Sequence, residues 1–382
     1  MPESNNNTKR VMIIAGEASG DLHAAKLVRE VKEKTTDISF YGIGGTNMVE
    51  AGVETLVDSA DLAVVGLFEV LAHWSTISAA LKKMQHVLRT DPPDLLVLTD
   101  YPEFNLRLAK TAKECGVKVL FYISPQVWAW RQKRVFKIRK LVDMMAVVFP
   151  FEEAFYKKYD VPVRFVGHPL VDEVHASSDQ QTLRNEFLLD NNKPVIGLFP
   201  GSRHSEIKRL LPVIVDSAKN IIKDKPDAQF VIPVASTLSE EDILPYFEAT
   251  EFDMRVISHR SHDVMQVCDA IITVSGTVTL EIALMQKPMV VINKINWLSY
   301  FIVSRMLKIK YIALCNIVAE KLIVPELIQH DAKPDKIALT LNKLLDNTEE
   351  RKNIVTELGE VKHKLSNEES KTELSNILIH ML

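Results

Sequence analysis

Short apolar runs alternate with helix-length amphipathic stretches along nearly the whole chain. In the first half the runs are VMIIAG (11–16), ISFYGIGG (38–45), LLVLTD (95–100), VKVLFYI (117–123), MMAVVFP (144–150) and VRFVG (163–167). Each is short, and most end in glycine, proline or aspartate, the pattern of a strand buried on both faces. The segments between them carry apolar residues three and four apart, the period of an amphipathic helix. Repeated strand–helix–strand units predict a parallel, doubly wound sheet. After a polar stretch at 171–193 the rhythm restarts with VIGLF (195–199), AQFVIPVA (228–235), MRVIS (254–258), AIITV (270–274) and PMVVIN (288–293).

The pattern predicts an α/β chain of two Rossmann-like domains, residues 1–168 and 169–382, with the boundary near Gly167-His168-Pro169. Two such domains would face a central cleft at the carboxyl ends of their sheets, where ligands bind in these folds. The tail after about residue 346 reads as charged and helical. It could pack back onto the first domain or onto another subunit, which leaves a homodimer open.

Composition narrows the function. A chain of 382 residues is too long for one ordinary core, and its 47% hydrophobic content supplies two. A net charge of −4 argues against a nucleic-acid partner. Three distant cysteines suggest a reducing compartment without a disulfide framework. MPESNNNTKR lacks the apolar core of a signal peptide, and no run approaches 18 apolar residues. A cytoplasmic address is expected, which leaves room for lying on a membrane surface.

The chemistry concentrates in a few motifs. VIGLFPGSRHSEI (195–207) reads as a buried strand, a tight turn at Pro200-Gly201-Ser202 and a helix beginning near Ser205. That geometry aims backbone N–H groups and the positive helix end at an anion. Arg203 can grip two phosphate oxygens, and Glu206 lies in the first helical turn. VSGTVTLE (274–281) repeats the logic with Ser275, Gly276 and Thr277 at a helix start, and Glu281 one turn on, placed for ribose hydroxyls. Simple capping is the alternative for Ser275 and Thr277. Two anion-ready helix starts in one domain favour a nucleotide diphosphate.

TDYPEFN (99–105) places Asp100 at the carboxyl end of a central strand, where a carboxylate can take a proton from a substrate hydroxyl. Its alternative is an N-cap for the following helix. GEASGD (16–21) is not a GxGxxG fingerprint, so a nicotinamide or flavin is not expected, and a tight strand–helix turn capped by Asp21 is the plain reading. Walker, HExxH, paired CxxC and GxSxG motifs are absent. His259 and His262 have no third ligand nearby, so no metal is expected.

SPQVWAWRQKRVFKIRKL (124–141) joins Trp128 and Trp130 to Arg131, Lys133, Arg134, Lys137, Arg139 and Lys140 with no intervening acid. It reads as a solvated helix face or as a site for phosphate or anionic lipid. Residues 67–88 form a helical stripe of Leu67, Phe68, Leu71, Trp74, Ile77, Leu81, Met84 and Leu88. This is core packing or, with Lys82, Lys83, His86 and Arg89 beside it, a membrane-facing surface. WLSYFIVSRMLKIKYI (297–312) offers a second such face.

Together these motifs resemble the lipid-A-disaccharide synthases, inverting glycosyltransferases of the GT-B type. The resemblance is carried by GEASGDLHAA (16–25), GLFEVL (66–71), SPQVWAWRQKRVFKI (124–138), PFEEAFY (150–156), FVGHPLVD (165–172), PGSRHSEI (200–207), SGTVTLE (275–281) and NIVAEKLIVPELIQ (316–329). It implies UDP-2,3-diacylglucosamine as donor and 2,3-diacylglucosamine 1-phosphate (lipid X) as acceptor. It also implies metal-independent chemistry without a cofactor, and peripheral attachment to an anionic inner-membrane surface. By position, Asp100 matches the family's base, Asp94 a further functional acid, Arg203 the phosphate-loop arginine and Asn316 the asparagine of NxxA; for Asp94 a strand-start turn after Pro92-Pro93 is an equal alternative. Gly201, Ser202, Glu206, Ser275, Gly276, Thr277 and Glu281 would line the donor site. Phe68, Leu71, Trp74, Trp128, Trp130, Arg131, Lys133 and Arg134 would serve the acceptor and membrane side. The chain departs from the family at Glu103, where Asp is frequent, and at Cys315 and Glu320, where Pro and Gly are common. Other readings are a GT-B transferase or hydrolysing epimerase using UDP-N-acetylglucosamine, or a non-catalytic nucleotide-sugar or lipid-binding module.

Overall fold

A computed structural model describes residues 8–62, 74–248, 250, 252–295, 309–366 and 373–382. The chain divides into two units: Met1–Pro169 together with Ser366–Leu382, and Leu170–Leu365.

The first unit is built on seven parallel strands: β1 (Lys9–Ala15), β2 (Ile38–Gly44), β3 (Glu54–Asp58), β4 (Leu95–Thr99), β5 (Lys118–Tyr122), β6 (Met144–Val147) and β7 (Val163–Phe165). Their order is β3-β2-β1-β4-β5-β6-β7. Val11 to Ala15 and Leu95 to Leu98 are fully buried, as strands covered on both faces must be. Register is parallel throughout, with Val11 beside Leu95 and Leu96 beside Val119. The crossovers are α1 (Ala18–Lys34), α2 (Thr46–Glu50), α3 (Trp74–Thr90), α4 (Pro102–Glu114), α5 (Val135–Leu141) and α6 (Pro150–Lys157).

The apolar stripe resolves in favour of the core where it is described. Ile77, Met84 and Leu88 of α3 are buried in one cluster with Met12, Leu98 and Phe104, and Leu81 packs against it. Only Trp74 of the described stripe is left half exposed. Phe68 and Leu71 lie outside the described residues, as does most of the second apolar face, 297–308.

The second unit carries β8 (Val195–Phe199), β9 (Gln229–Val234), β10 (Met254–Ser258), β11 (Ala270–Val274), β12 (Met289–Asn293) and β13 (Glu326–Ile328). All are parallel, in the order β10-β9-β8-β11-β12-β13. Around them run α7 (Leu170–Glu173), α8 (Gln180–Glu186), α9 (His204–Asp224), α10 (Ser261–Val267), α11 (Val278–Leu284), α12 (Leu314–Ala319), α13 (Pro334–Asp346) and α14 (Thr348–Leu365). The apolar pattern missed β3 and β13. Both are short edge strands, only partly buried, so neither needs a continuous apolar run.

The last helix, α15 (Glu373–Met381), belongs to the first unit. It packs on α1, burying Leu374 and Leu378. Lys34 Nζ donates to Ser375 Oγ (2.8 Å) and Asn376 Oδ1 (2.6 Å), and Lys118 Nζ donates to the Met381 carbonyl (2.6 Å). Leu378→Ala is expected to lower the stability of the first unit by about 2–5 kcal/mol, read from urea unfolding. An unchanged midpoint would show that the helix adds nothing.

Candidate active site

In an open parallel sheet, ligands gather beyond the carboxyl ends of the strands, where the strand order reverses. In the second unit the reversal lies between β8 and β11, and a cavity of about 550 Å³ opens there. Phe199 to Arg203 and Glu206 line one side, Val274 to Val278 and Glu281 another, with His259 and Ser261 above β9 and β10. Gly201, Ser202, Arg203, Ser275, Gly276 and Thr277 are thus brought together. Gly276 holds φ +151°, a conformation side-chain-bearing residues avoid.

The donors of this cavity are not all free for a ligand. Glu206 bends back from the first turn of α9, accepting from the Ser202 backbone N–H at 3.1 Å and lying 3.5 Å from the Arg203 guanidinium. It therefore engages a backbone N–H and a guanidinium at the start of α9. Arg203 remains mostly exposed. Glu281 is oriented by His262, Nε2 to Oε2 3.1 Å. Ser275 Oγ accepts from Asn293 at 2.6 Å. His262 was missed as a partner of Glu281 because nothing in the spacing links α10 to α11.

In the first unit a cavity of about 300 Å³ lies at the ends of β4, β5 and β6, lined by Asp100, Ser124, Gln126, Trp130, Arg131, Arg134 and Glu152 among others. Asp100 and Tyr101 are both left-handed, φ +49° and +46°. Such a pair costs about 1–2 kcal/mol per residue. It is held by Asn105, fully buried in α4, whose amide donates to the carbonyls of Thr99 and Asp100. Gly16, from GEASGD, lies beneath: a Cβ there would be 2.6 Å from the Tyr101 ring. Burial pushes the Asp100 carboxyl above the ordinary carboxylate range, partly offset by the Tyr101 backbone N–H and by His23.

GEASGD supplies a clip as well as a turn. Asp21 is buried and accepts from the backbone N–H groups of Gly45 (2.6 Å), Asn47 (3.0 Å) and Met48 (3.2 Å). It caps α2, not its own helix.

Several expectations are corrected by placement. Asp94 precedes β4 at its amino end, six residues before Asp100, about 20 Å at 3.3 Å per residue. It is held there by Lys9 Nζ (2.9 Å) and the Arg10 backbone N–H (2.8 Å), so it lies away from the cavity that holds Asp100. Trp128 is buried and donates to Glu152, so it faces neither membrane nor solvent. Trp130 and Arg131 stay exposed, the guanidinium 4.5 Å from the ring centroid. Lys133 is exposed, and Arg134 pairs with Glu103 at 2.7 Å.

Asn316 is engaged inside the fold. It is fully buried, donating to the Val324 carbonyl (2.9 Å) and Glu326 (2.8 Å) and accepting from the N–H groups of Ile323 (2.8 Å) and Val324 (3.0 Å). Its side chain is spent on the loop before β13. Glu320 ends α12 at φ +61°, which glycine adopts freely. Asn316→Ala is expected to lower the stability of the second unit by at least about 2 kcal/mol, since it strands several buried partners. A stability change below about half that, by chemical unfolding, would contradict the bracing role.

Comparison with known proteins fits this architecture. The lipid-A-disaccharide synthetase family profile matches residues 11–379. A lipid-A-disaccharide synthase of Geobacter sulfurreducens is 52% identical over 377 residues, covering 99% of this chain and 98% of its own. That of Nitrosococcus oceani is 53% identical, covering 94% and 93%. Among solved structures, a UDP-GlcNAc 2-epimerase from Neisseria meningitidis bound to UDP-GlcNAc aligns with a TM-score of 0.59 at 13% identity, covering 97% and 98%. The calicheamicin glycosyltransferase CalG4 aligns with a TM-score of 0.60 at 14% identity, covering 97% and 98%. These likenesses are of fold, the GT-B type. Matched over nearly its whole length at half identity, the chain belongs to the lipid-A-disaccharide synthase family.

Proposed function

We propose that the chain is an inverting glycosyltransferase that joins UDP-2,3-diacylglucosamine to lipid X, giving the β(1→6)-linked lipid A disaccharide 1-phosphate and UDP. The observation that carries this reading is the second unit's cavity, where Arg203 and two glycine turns at helix starts converge. As the glycosidic bond breaks, negative charge grows on the leaving diphosphate. Arg203 and the backbone N–H groups beyond β8 and β11 stabilise it, taking up the anion in place of the Glu206 carboxylate. Glu281, oriented by His262, takes the ribose hydroxyls.

Asp100 accepts the proton of the acceptor 6-hydroxyl as that oxygen attacks the anomeric carbon from the face opposite UDP. Its partial burial suits the task, because a carboxyl raised above its ordinary range is the stronger base when ionised. Trp130 and Arg131 line the same cavity and offer an apolar face and a cation to a phosphorylated, acylated sugar. Incubation with both diacyl substrates tests the activity: UDP and a product with the mass of donor plus acceptor less that of UDP are expected. UDP release without a disaccharide would indicate a hydrolase.

No described helix is long and apolar enough to cross a membrane. The acyl chains are reached from the bilayer surface in this reading, and half-exposed Trp74 under the Arg107 guanidinium, 5.6 Å from its ring centroid, supports a peripheral contact on the first unit. Trp74→Ser is expected to reduce co-sedimentation with anionic vesicles, and unchanged sedimentation would remove Trp74 from that contact.

Asp100→Asn is expected to lower kcat by about 10²–10⁴-fold while leaving the donor KM within about twofold. Because only the ionised form accepts the proton and burial raises its pKa, kcat/KM falls as pH drops through a value above the ordinary carboxylate range. Near-normal turnover of Asp100→Asn, or an acid limb unmoved in it, removes Asp100 from this role.

A further inference from the structure

Glu152 stands third in α6, after Phe149 and Pro150. An acid there ordinarily caps its own helix in contact with solvent. Here the side chain is buried, and two of its three hydrogen bonds go elsewhere. Oε2 accepts from the Phe149 backbone N–H at 3.2 Å, which is the capping bond. Oε1 accepts from Ser124 Oγ at 2.6 Å and from Trp128 Nε1 at 3.0 Å. Both of those donors lie on the segment that follows β5.

That segment has reason to need a tether. It is bracketed by two left-handed residues, Ile123 at φ +61° and Arg131 at φ +52°. The first is β-branched, the residue type least suited to that conformation. Inside the brackets the backbone bonds are local: Val127 N–H to the Pro125 carbonyl, Ala129 N–H to that of Gln126. Trp128 adds an edge contact to Phe151, ring centroids 4.7 Å apart. A strained loop of this kind persists only when its surroundings over-determine it. Burial pushes the Glu152 carboxyl up to about 7 despite its three donors, so the site retains an acid that is costly to ionise.

We propose that Glu152 is a positioning residue for the acceptor: by tying Ser124 and Trp128 to the start of α6, it holds Trp130 and Arg131 at the cavity they share with Asp100. This rests on the assignment of that cavity to the acceptor, and the two ideas fail separately.

The test is steady-state kinetics on the full chain with both diacyl substrates, varying each in turn. Glu152→Ala is expected to raise the acceptor KM about tenfold or more, the loss of a charge-assisted bond. The UDP-sugar KM stays within about twofold. Glu152→Gln keeps an acceptor oxygen toward Ser124 and Trp128 and restores most of the acceptor KM. Trp128→Phe keeps the ring, loses the donor, and raises the acceptor KM part of the way. A merely structural role would lower kcat through the fraction of active enzyme and leave both KM values in place.

Unchanged acceptor KM in folded Glu152→Ala, or a parallel rise of both KM values, overturns the proposal. Should Glu152→Ala fail to fold, the other two variants decide: a raised acceptor KM in Trp128→Phe with Glu152→Gln near the parent upholds it, and any other pattern overturns it. Arg131→Ala separates the underlying reading. If it raises the acceptor KM and Glu152→Ala does not, only the positioning proposal fails. If it leaves the acceptor KM unchanged, the assignment of the cavity fails.

Discussion

A strand buried on both faces can present a polar side chain only beyond its last residue. Everything functional in this chain follows from that constraint. Leu95 to Thr99 are wholly enclosed, so the two aspartates that flank them are pushed to opposite ends of the sheet. Only Asp100 lies at the end where the strand order reverses and a cavity opens. The same rule puts Arg203 and Gly276 side by side in the second unit, although more than 70 residues separate them in the chain.

Loops at strand ends expose backbone N–H groups that must find partners. The chain satisfies many of them with its own carboxylates. Asp21 accepts three N–H groups at the start of α2, Glu326 accepts those of Ile312 and Ala313, and Glu152 joins a helix cap to a neighbouring loop. Glu152 in this way braces the loop that follows left-handed Ile123, while the Asn105 amide does the same for Asp100. Glu206 differs because its carboxylate rests on a donor that a phosphate can also use, in a cavity open to solvent.

Much of the architecture was legible because burial on both faces writes a continuous apolar run. β1, β4, β5, β8 and β11 stand where those runs stand, and the turns after them end where Gly, Pro and Asp end them. The edge strands β3 and β13 left no such mark. The glycine turn with Arg203 at a helix start was readable from local chemistry, since a turn and the helix after it are contiguous in sequence. The burial of Asn316 and of Trp128 was not legible, for a shared reason. Each is a polar or amphipathic side chain whose partners, Glu326 and Glu152, are reached only after folding.

The sequence by itself determined the two parallel sheets, their order along the chain and the turns that can face an anion, because those depend on periodicity and on neighbours a few residues apart. Tertiary structure alone decided which acids face a cavity and which are consumed as clips, and which tryptophan is exposed. It also decided that the last helix belongs with the first unit. These outcomes depend on hydrogen-bond partners 10 to 342 residues away, beyond the few neighbours that a local pattern records.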